Sequence, residues 1–104
     1  MTLEDLKLNP ELANKLEDKH LENLLAQGIE TLDVEQLAIS NGLHAIYTLA
    51  FTNKQINWIL NYLKSNDSEK LTTSLENLYS LKQQCLQRLE ESLPYLPNYL
   101  ASLE

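Results

Sequence analysis

Two histidines, His20 and His44, and the carboxylate of Glu17 are the residues of this chain best suited to ligand chemistry. Glu17 and His20 form an E-x-x-H pair, and in ferritin-like di-iron bundles two such pairs with two further glutamates hold the metals. This chain has one pair only, and Asn41 takes the place of a carboxylate three residues before His44. An incomplete ligand set favours a histidine at the edge of the core. We therefore predict no metal site and no cofactor.

A second group of polar residues is spaced as one narrow strip of a helix. Asn41, His44, Thr48 and Thr52 lie on one side of an otherwise apolar segment, if that segment is one helix. Two interpretations stay open. Asn41, His44 and Thr48 form a small polar site, or the strip is the line along which the helix meets solvent, which is the commoner case.

The single cysteine, Cys85, lies on an apolar helical stripe, where a free cysteine usually behaves as a small hydrophobic residue. No glycine-rich nucleophile turn accompanies it. The chain also lacks a phosphate loop, a dinucleotide fingerprint, a CxxC motif and an HExxH motif. We therefore predict that the protein is not an enzyme.

The composition predicts an all-α fold in a single domain, residues 1–104. Leucine supplies 24 of the 104 residues, and only two glycines and three prolines interrupt the chain. A chain of this length buries a core without disulfides or a metal. We expect a compact bundle of four to five helices, with residues 43–63 as its most buried part.

Capping signals set the expected helix boundaries. Asn9 and Pro10 begin a helix that ends at Gly28, after a short turn capped by Thr2. Asp33 and Gln36 form a capping-box pattern that begins a helix, which is short unless it runs through Gly42. The Thr52–Gln55 pair favours a break or a kink. Asn66 and Glu69 form the last capping pair, so we expect a long C-terminal helix over about 67–93 and one further turn from Pro97.

Four of the seven aromatic residues follow one another along residues 47–62. Tyr47, Phe51, Trp58 and Tyr62 lie within roughly 60° of each other on a continuous helix. A break at Thr52 would place Tyr47 and Phe51 in the core. Trp58 and Tyr62 would then either pack under the long helix or form a partner surface.

Lys82 interrupts the leucine stripe of the predicted long helix. Its aliphatic stem can lie along apolar surface while the ammonium reaches water, which is the plainer interpretation. Alternatively, Lys82 pairs with a carboxylate across an interface and fixes the register of two chains. We include it with the four aromatic residues as a hypothetical partner-binding residue.

The net charge of −7 argues against nucleic-acid binding, which needs clustered lysine and arginine. Residues 37–43 have the spacing of a helix-turn-helix corner, yet residues 43–51 carry no lysine or arginine to read DNA. The N-terminus lacks the pattern of a secretory signal, and the longest uncharged stretch is too polar to span a bilayer. We expect a soluble, cytoplasmic protein.

The leading functional hypothesis is a small acidic interaction module, homodimeric and without catalytic activity, that binds a protein partner or itself. One alternative is an inhibitor, immunity-like or antitoxin-like protein whose carboxylates block a basic site on a partner. A further alternative is a metal or small-ligand binder that uses Glu17, His20 and His44.

Overall fold

Five α-helices account for the fold in this computed structural model, which describes residues 1–28 and 33–103. The helices are α1 (Leu3–Leu8), α2 (Pro10–Ala26), α3 (Val34–Leu63), α4 (Glu69–Ser92) and α5 (Leu96–Ser102). The described residues contain no strand. The predicted all-α bundle is confirmed. None of these helices is long and apolar enough to cross a membrane.

The first two helices begin and end close to where their capping residues predict. The Thr2 hydroxyl accepts from the Asp5 backbone N–H at 3.2 Å, and the Asp5 carboxylate accepts from the Thr2 N–H at 2.9 Å. Pro10 is the first residue of α2, although the Asn9 side chain makes no capping bond. Gly28 follows α2 with φ 74°, a left-handed conformation that glycine adopts without steric cost.

Helix α3 runs through Gly42 and is therefore long, and it continues through Thr52, so the break predicted there is wrong. Its 30 residues extend for about 45 Å. Gly42 lies inside the helix because α3 and α4 meet closely there: a Cβ on Gly42 would be 2.6 Å from the Ser92 Cβ. Thr52 is 1% exposed and lies in the helix interior instead of capping a new one. Tertiary packing outweighs the local capping signal at both positions.

Helix α4 corresponds to the long helix predicted over about 67–93. It begins two residues later and ends one residue earlier than predicted. Ser68 caps it, with its hydroxyl accepting from the Leu71 N–H at 3.3 Å. Asn66 instead donates its side-chain amide to the Tyr62 carbonyl at 3.1 Å, in the turn that follows α3. The expected turn from Pro97 is a seven-residue helix, α5.

The core lies at the end of the molecule where all five helices are present. Its fully buried leucines come from three helices, α1, α3 and α5, and are Leu6, Leu43, Leu96 and Leu100. The prediction that residues 43–63 form the most buried part holds only for the first half of that range. Beyond Thr52, only Ile56 and Ile59 of α3 are buried.

Helix α2 runs antiparallel to the first half of α3. Glu17 of α2 contacts His44 of α3, and Pro10 at the start of α2 lies beside Phe51 in one small cavity. Beyond Phe51, α3 and α4 continue as a two-helix hairpin. We call residues 53–82 the arm and the rest of the chain the body. The radius of gyration is 16.2 Å, against about 13 Å for a compact domain of this length.

Candidate interaction site

An apolar groove runs between the two helices of the arm. It encloses about 590 Å³ and is lined by Gln55, Trp58, Ile59, Leu71, Ser74, Asn77, Leu78 and Leu81. Helices α3 and α4 each bury one side against the other here, and no described helix covers the groove from outside. The groove is therefore an open apolar surface with a few amide and hydroxyl groups at its edges.

Trp58 and Tyr62 stand together at the edge of this groove. Trp58 is 61% exposed and Tyr62 is 41% exposed. Their rings stack with centroids 5.7 Å apart and planes inclined by 17°. An aromatic stack of this kind contributes about 0.5–1.5 kcal/mol beyond the burial of area, which limits the motion of both rings. Of the two alternatives for this pair, packing under the long helix is wrong for the isolated chain.

Tyr47 and Phe51 lie on the same side of α3 as Trp58 and Tyr62, because the helix does not break at Thr52. Tyr47 is half-buried, whereas Phe51 is 55% exposed. Both line a cavity of about 270 Å³ at the start of α2, together with Pro10 and Glu11. The assignment of Phe51 to the core is therefore wrong, since α2 reaches only as far as this residue.

The uncovered aromatics continue the side of α3 that α2 covers in the body. Tyr62 follows His44 by eighteen residues, which is five helical turns, so both side chains leave α3 in the same direction. At His44 that direction is occupied by Glu17 of α2. Tyr62 lies beyond Phe51, which is as far as α2 reaches, and is 41% exposed. The arm therefore lacks the cover that the body has.

Lys82 lies apart from the groove that the aromatic residues adjoin. It is half-buried on α4 and is not among the groove-lining residues. Within the described part of the chain it makes no ion pair. Its two interpretations, an ammonium that reaches water or a pair across an interface, stay predictions.

Because α3 is continuous, the predicted polar strip lies along one side of it, but its residues differ in exposure and in their neighbours. Asn41 is exposed and lines a cavity of about 320 Å³ together with Arg88, whereas Thr48 is half-buried in α3. The His44 Nδ1 pairs with the Glu17 Oε2 at 3.1 Å. Sequence reasoning missed this pair, because the two residues are 27 positions apart and only the register of α2 on α3 brings them together.

His20 is a core histidine, as the incomplete ligand set predicts. It is 5% exposed and packs edge-on against the Tyr99 ring, with centroids 5.0 Å apart. Burial lowers the pKa of His20 below its ordinary value, an effect that the Gln36 backbone partly opposes. The neutral ring is therefore the form that the fold accommodates.

The burial of His20 predicts that the protein loses stability in mild acid. An unfolded chain takes up a proton at the ordinary histidine pKa of 6.5, whereas the folded chain does so only at lower pH. Between the two values the unfolded state binds more protons, so the free energy of unfolding falls as the pH is lowered below about 6.5. Urea titrations between pH 8 and pH 5 measure this slope. We expect His20→Gln to flatten it and His44→Gln to retain it; equal slopes in His20→Gln and the wild type would contradict the assignment.

The remaining residues suited to chemistry are not brought together. Among residues 1–28 and 33–103, no three histidine, cysteine, aspartate or glutamate side chains are grouped to hold a metal ion. Cys85 is buried, and burial raises the pKa of its thiol. A raised pKa keeps the sulfur protonated, which is the less nucleophilic form. The groove in the arm is thus the site that the fold presents most clearly.

Comparisons with known proteins supply no relative from which a function could be transferred. Neither the protein-family models, nor the curated proteins, nor the solved structures contain a match to this chain. The function is therefore argued from the geometry of the chain itself.

Proposed function

We propose that the protein is a non-catalytic helical interaction module that forms a homodimer through its arm. The observation that carries this proposal is the position of Trp58, 61% exposed and stacked on Tyr62 beside an open apolar groove. Large rigid aromatic side chains next to a pocket are the residues that dominate interface energies. A second copy of the chain supplies the cover that α2 gives to the body.

The exposed area of the single chain supports this occupant. One chain exposes 7094 Å², whereas a folded monomer of 11.9 kDa is expected to expose about 6,000 Å². The excess is about 1,100 Å², and a standard protein interface removes about 800 Å² from each partner. A dimer formed through the arm would therefore bring the exposed area per chain into the usual range.

The distribution of charge also favours contact between two arms. The arm carries four lysines and three acids, which are Lys54, Lys64, Lys70, Lys82, Asp67, Glu69 and Glu76. Its net charge is +1, whereas the body carries four basic and twelve acidic residues, a net charge of −8. Two bodies repel each other, but two arms meet without net repulsion of that size.

Two arms related by a two-fold axis bring four helices together as a small bundle. Each arm contributes one segment of α3 and one of α4. In such an arrangement the same surface is buried on both chains, and the assembly closes at two copies. Trp58 of one chain then lies over the groove of the other, and both grooves lose their contact with water.

The acidic body supports a second candidate function, the block of a basic site on another protein. Within the described residues, only Glu4 and Glu17 among the body's acids form an ion pair with a side chain. Several described carboxylates of the body are exposed, among them Glu11, Asp18 and Glu22, and can meet cationic groups. Binding of this kind weakens steeply as salt rises, whereas a dimer held by aromatic anchors changes little.

Sedimentation equilibrium over a concentration series tests the proposed dimer. We expect a mass of twice 11.9 kDa at the upper end, with little change between low and high salt. A mass of one chain at concentrations up to about 100 μM, far above a micromolar dissociation constant, would overturn the dimer.

A further inference from the structure

A second cavity lies in the body, at the opposite end of α3 from the arm. It encloses about 370 Å³ between the end of α2, the start of α3 and helix α5. Eight of the ten described residues that line it carry a polar group, among them the side-chain amides of Asn23, Gln27, Gln36 and Asn98. The volume is at the lower end of the range for small-molecule sites. A cavity so rich in amides offers donors and acceptors at several points.

His20 gives this cavity an unsatisfied buried group. The residue is 5% exposed and lines the cavity, and its Nε2 has no hydrogen-bond partner among the described residues. A buried polar atom without a partner loses its hydrogen bonds to water and gains none in return, so native structures seldom leave one unpaired. Burial lowers the pKa of His20, and a hydrogen bond with the Gln36 backbone acts in the opposite direction. Because Nε2 is the nitrogen without a partner, we assign this bond and the proton of the neutral ring to Nδ1, which leaves Nε2 as an acceptor.

The charges around the cavity restrict what it can bind. Among the described lining residues Glu35 is the only acidic one, and none of them is a lysine or arginine. An anion would therefore meet a carboxylate without a compensating cation, which is unfavourable. The rings of His20 and Tyr99, with Leu24 and Ile39, supply apolar surface between the amides.

We propose that this cavity binds a small uncharged ring compound that donates an N–H or O–H to the His20 Nε2 and exchanges hydrogen bonds with the surrounding amides. Pyrimidine bases and monosaccharides both have this chemistry. The inference is independent of the arm, since none of the cavity-lining residues belongs to residues 53–82.

The chain has two histidines, so nitrogen-15 spectra of the imidazole side chains give a direct test. Uracil and glucose are titrated separately into the full-length protein above pH 7. We expect one of the two probes to shift the His20 Nε2 resonance in a saturable manner. The resonances of His44, which pairs with Glu17 of α2, should not shift. Saturation by uracil alone identifies a base-like ligand, and saturation by glucose alone identifies a sugar-like ligand.

A matched pair of variants separates a binding site from a general change of environment. Asn98 lines the cavity and is exposed, and Asn57 is an exposed asparagine on the arm. We expect Asn98→Ala to weaken the binding of the active probe by roughly fivefold, the effect of one lost hydrogen bond, and Asn57→Ala to leave it unchanged. A His20 resonance that neither probe moves, or equal shifts at both histidines, would overturn the proposal.

Discussion

Replacing Trp58 by alanine is expected to separate the dimer into single chains that keep their fold. The side chain is 61% exposed in one chain, so its removal leaves no cavity in the core. An aromatic anchor at the centre of an interface contributes about 2 kcal/mol or more. Its removal should therefore raise the dissociation constant of the dimer by a factor of about 30 or more. Sedimentation equilibrium measures the constant, and far-ultraviolet circular dichroism checks that the helices are retained.

Tyr79→Ala is the matched control for this substitution. Tyr79 is also a large aromatic residue of the arm, 44% exposed, but it does not line the groove. We expect its replacement to change the dissociation constant by less than threefold or so, as for a residue outside the contact. A Trp58→Ala protein that dimerises as tightly as the Tyr79→Ala protein would show that the groove is not the interface.

Replacing Gly42 by alanine is expected to destabilise the fold by about 2 kcal/mol. The added Cβ would lie 2.6 Å from the Ser92 Cβ and 3.2 Å from a Leu96 methyl group, so α3 and α4 must move apart. Overpacking of this kind costs up to about 3 kcal/mol, of which the better helix propensity of alanine recovers about 1 kcal/mol. Urea denaturation monitored by circular dichroism gives the free energy of unfolding.

Two further variants test whether the cost arises from the contact with Ser92. In a Ser92→Gly background, the Gly42→Ala substitution should cost at least about 1 kcal/mol less, because the Ser92 side-chain atoms, the nearest that the added Cβ meets, are gone. Gly28→Ala is the comparison: Gly28 has φ 74° and no atom within 4 Å of an added Cβ, so its cost is conformational and Ser92→Gly should not relieve it. A Gly42→Ala protein more stable than the wild type would contradict the close approach of α3 and α4.

The parts of the fold that depend on neighbouring residues were predictable, and those that depend on distant residues were not. Thr2, Asp33 and Pro10 begin helices where their local chemistry predicts, because a cap or a fixed φ acts within one turn. Gly42 and Thr52 carry equally clear local signals, yet α3 continues through both. At Gly42 the competing interaction is close packing against Ser92 of α4, and at Thr52 it is burial of the side chain, and both depend on parts of the chain beyond one helical turn.

The candidate site shows the same division. The shared face of Trp58 and Tyr62 follows from helical periodicity alone, and the structure keeps it. Their exposure could not be predicted, because it depends on where α2 begins relative to α3. The Glu17–His44 pair depends on the same register, so no local spacing indicates it, whereas the burial of His20 agrees with the prediction from its incomplete ligand set.

Trp58 is the only tryptophan, so its fluorescence reports directly on the arm. The most direct test of the proposed dimer is the Trp58 emission maximum across a dilution series, with the mass followed by light scattering on the same samples. We expect the emission of the concentrated dimer to be blue-shifted. As the mass falls to 11.9 kDa the emission should move to the red, because the ring is 61% exposed in the single chain. An emission maximum that stays constant while the mass halves would show that Trp58 is not at the interface.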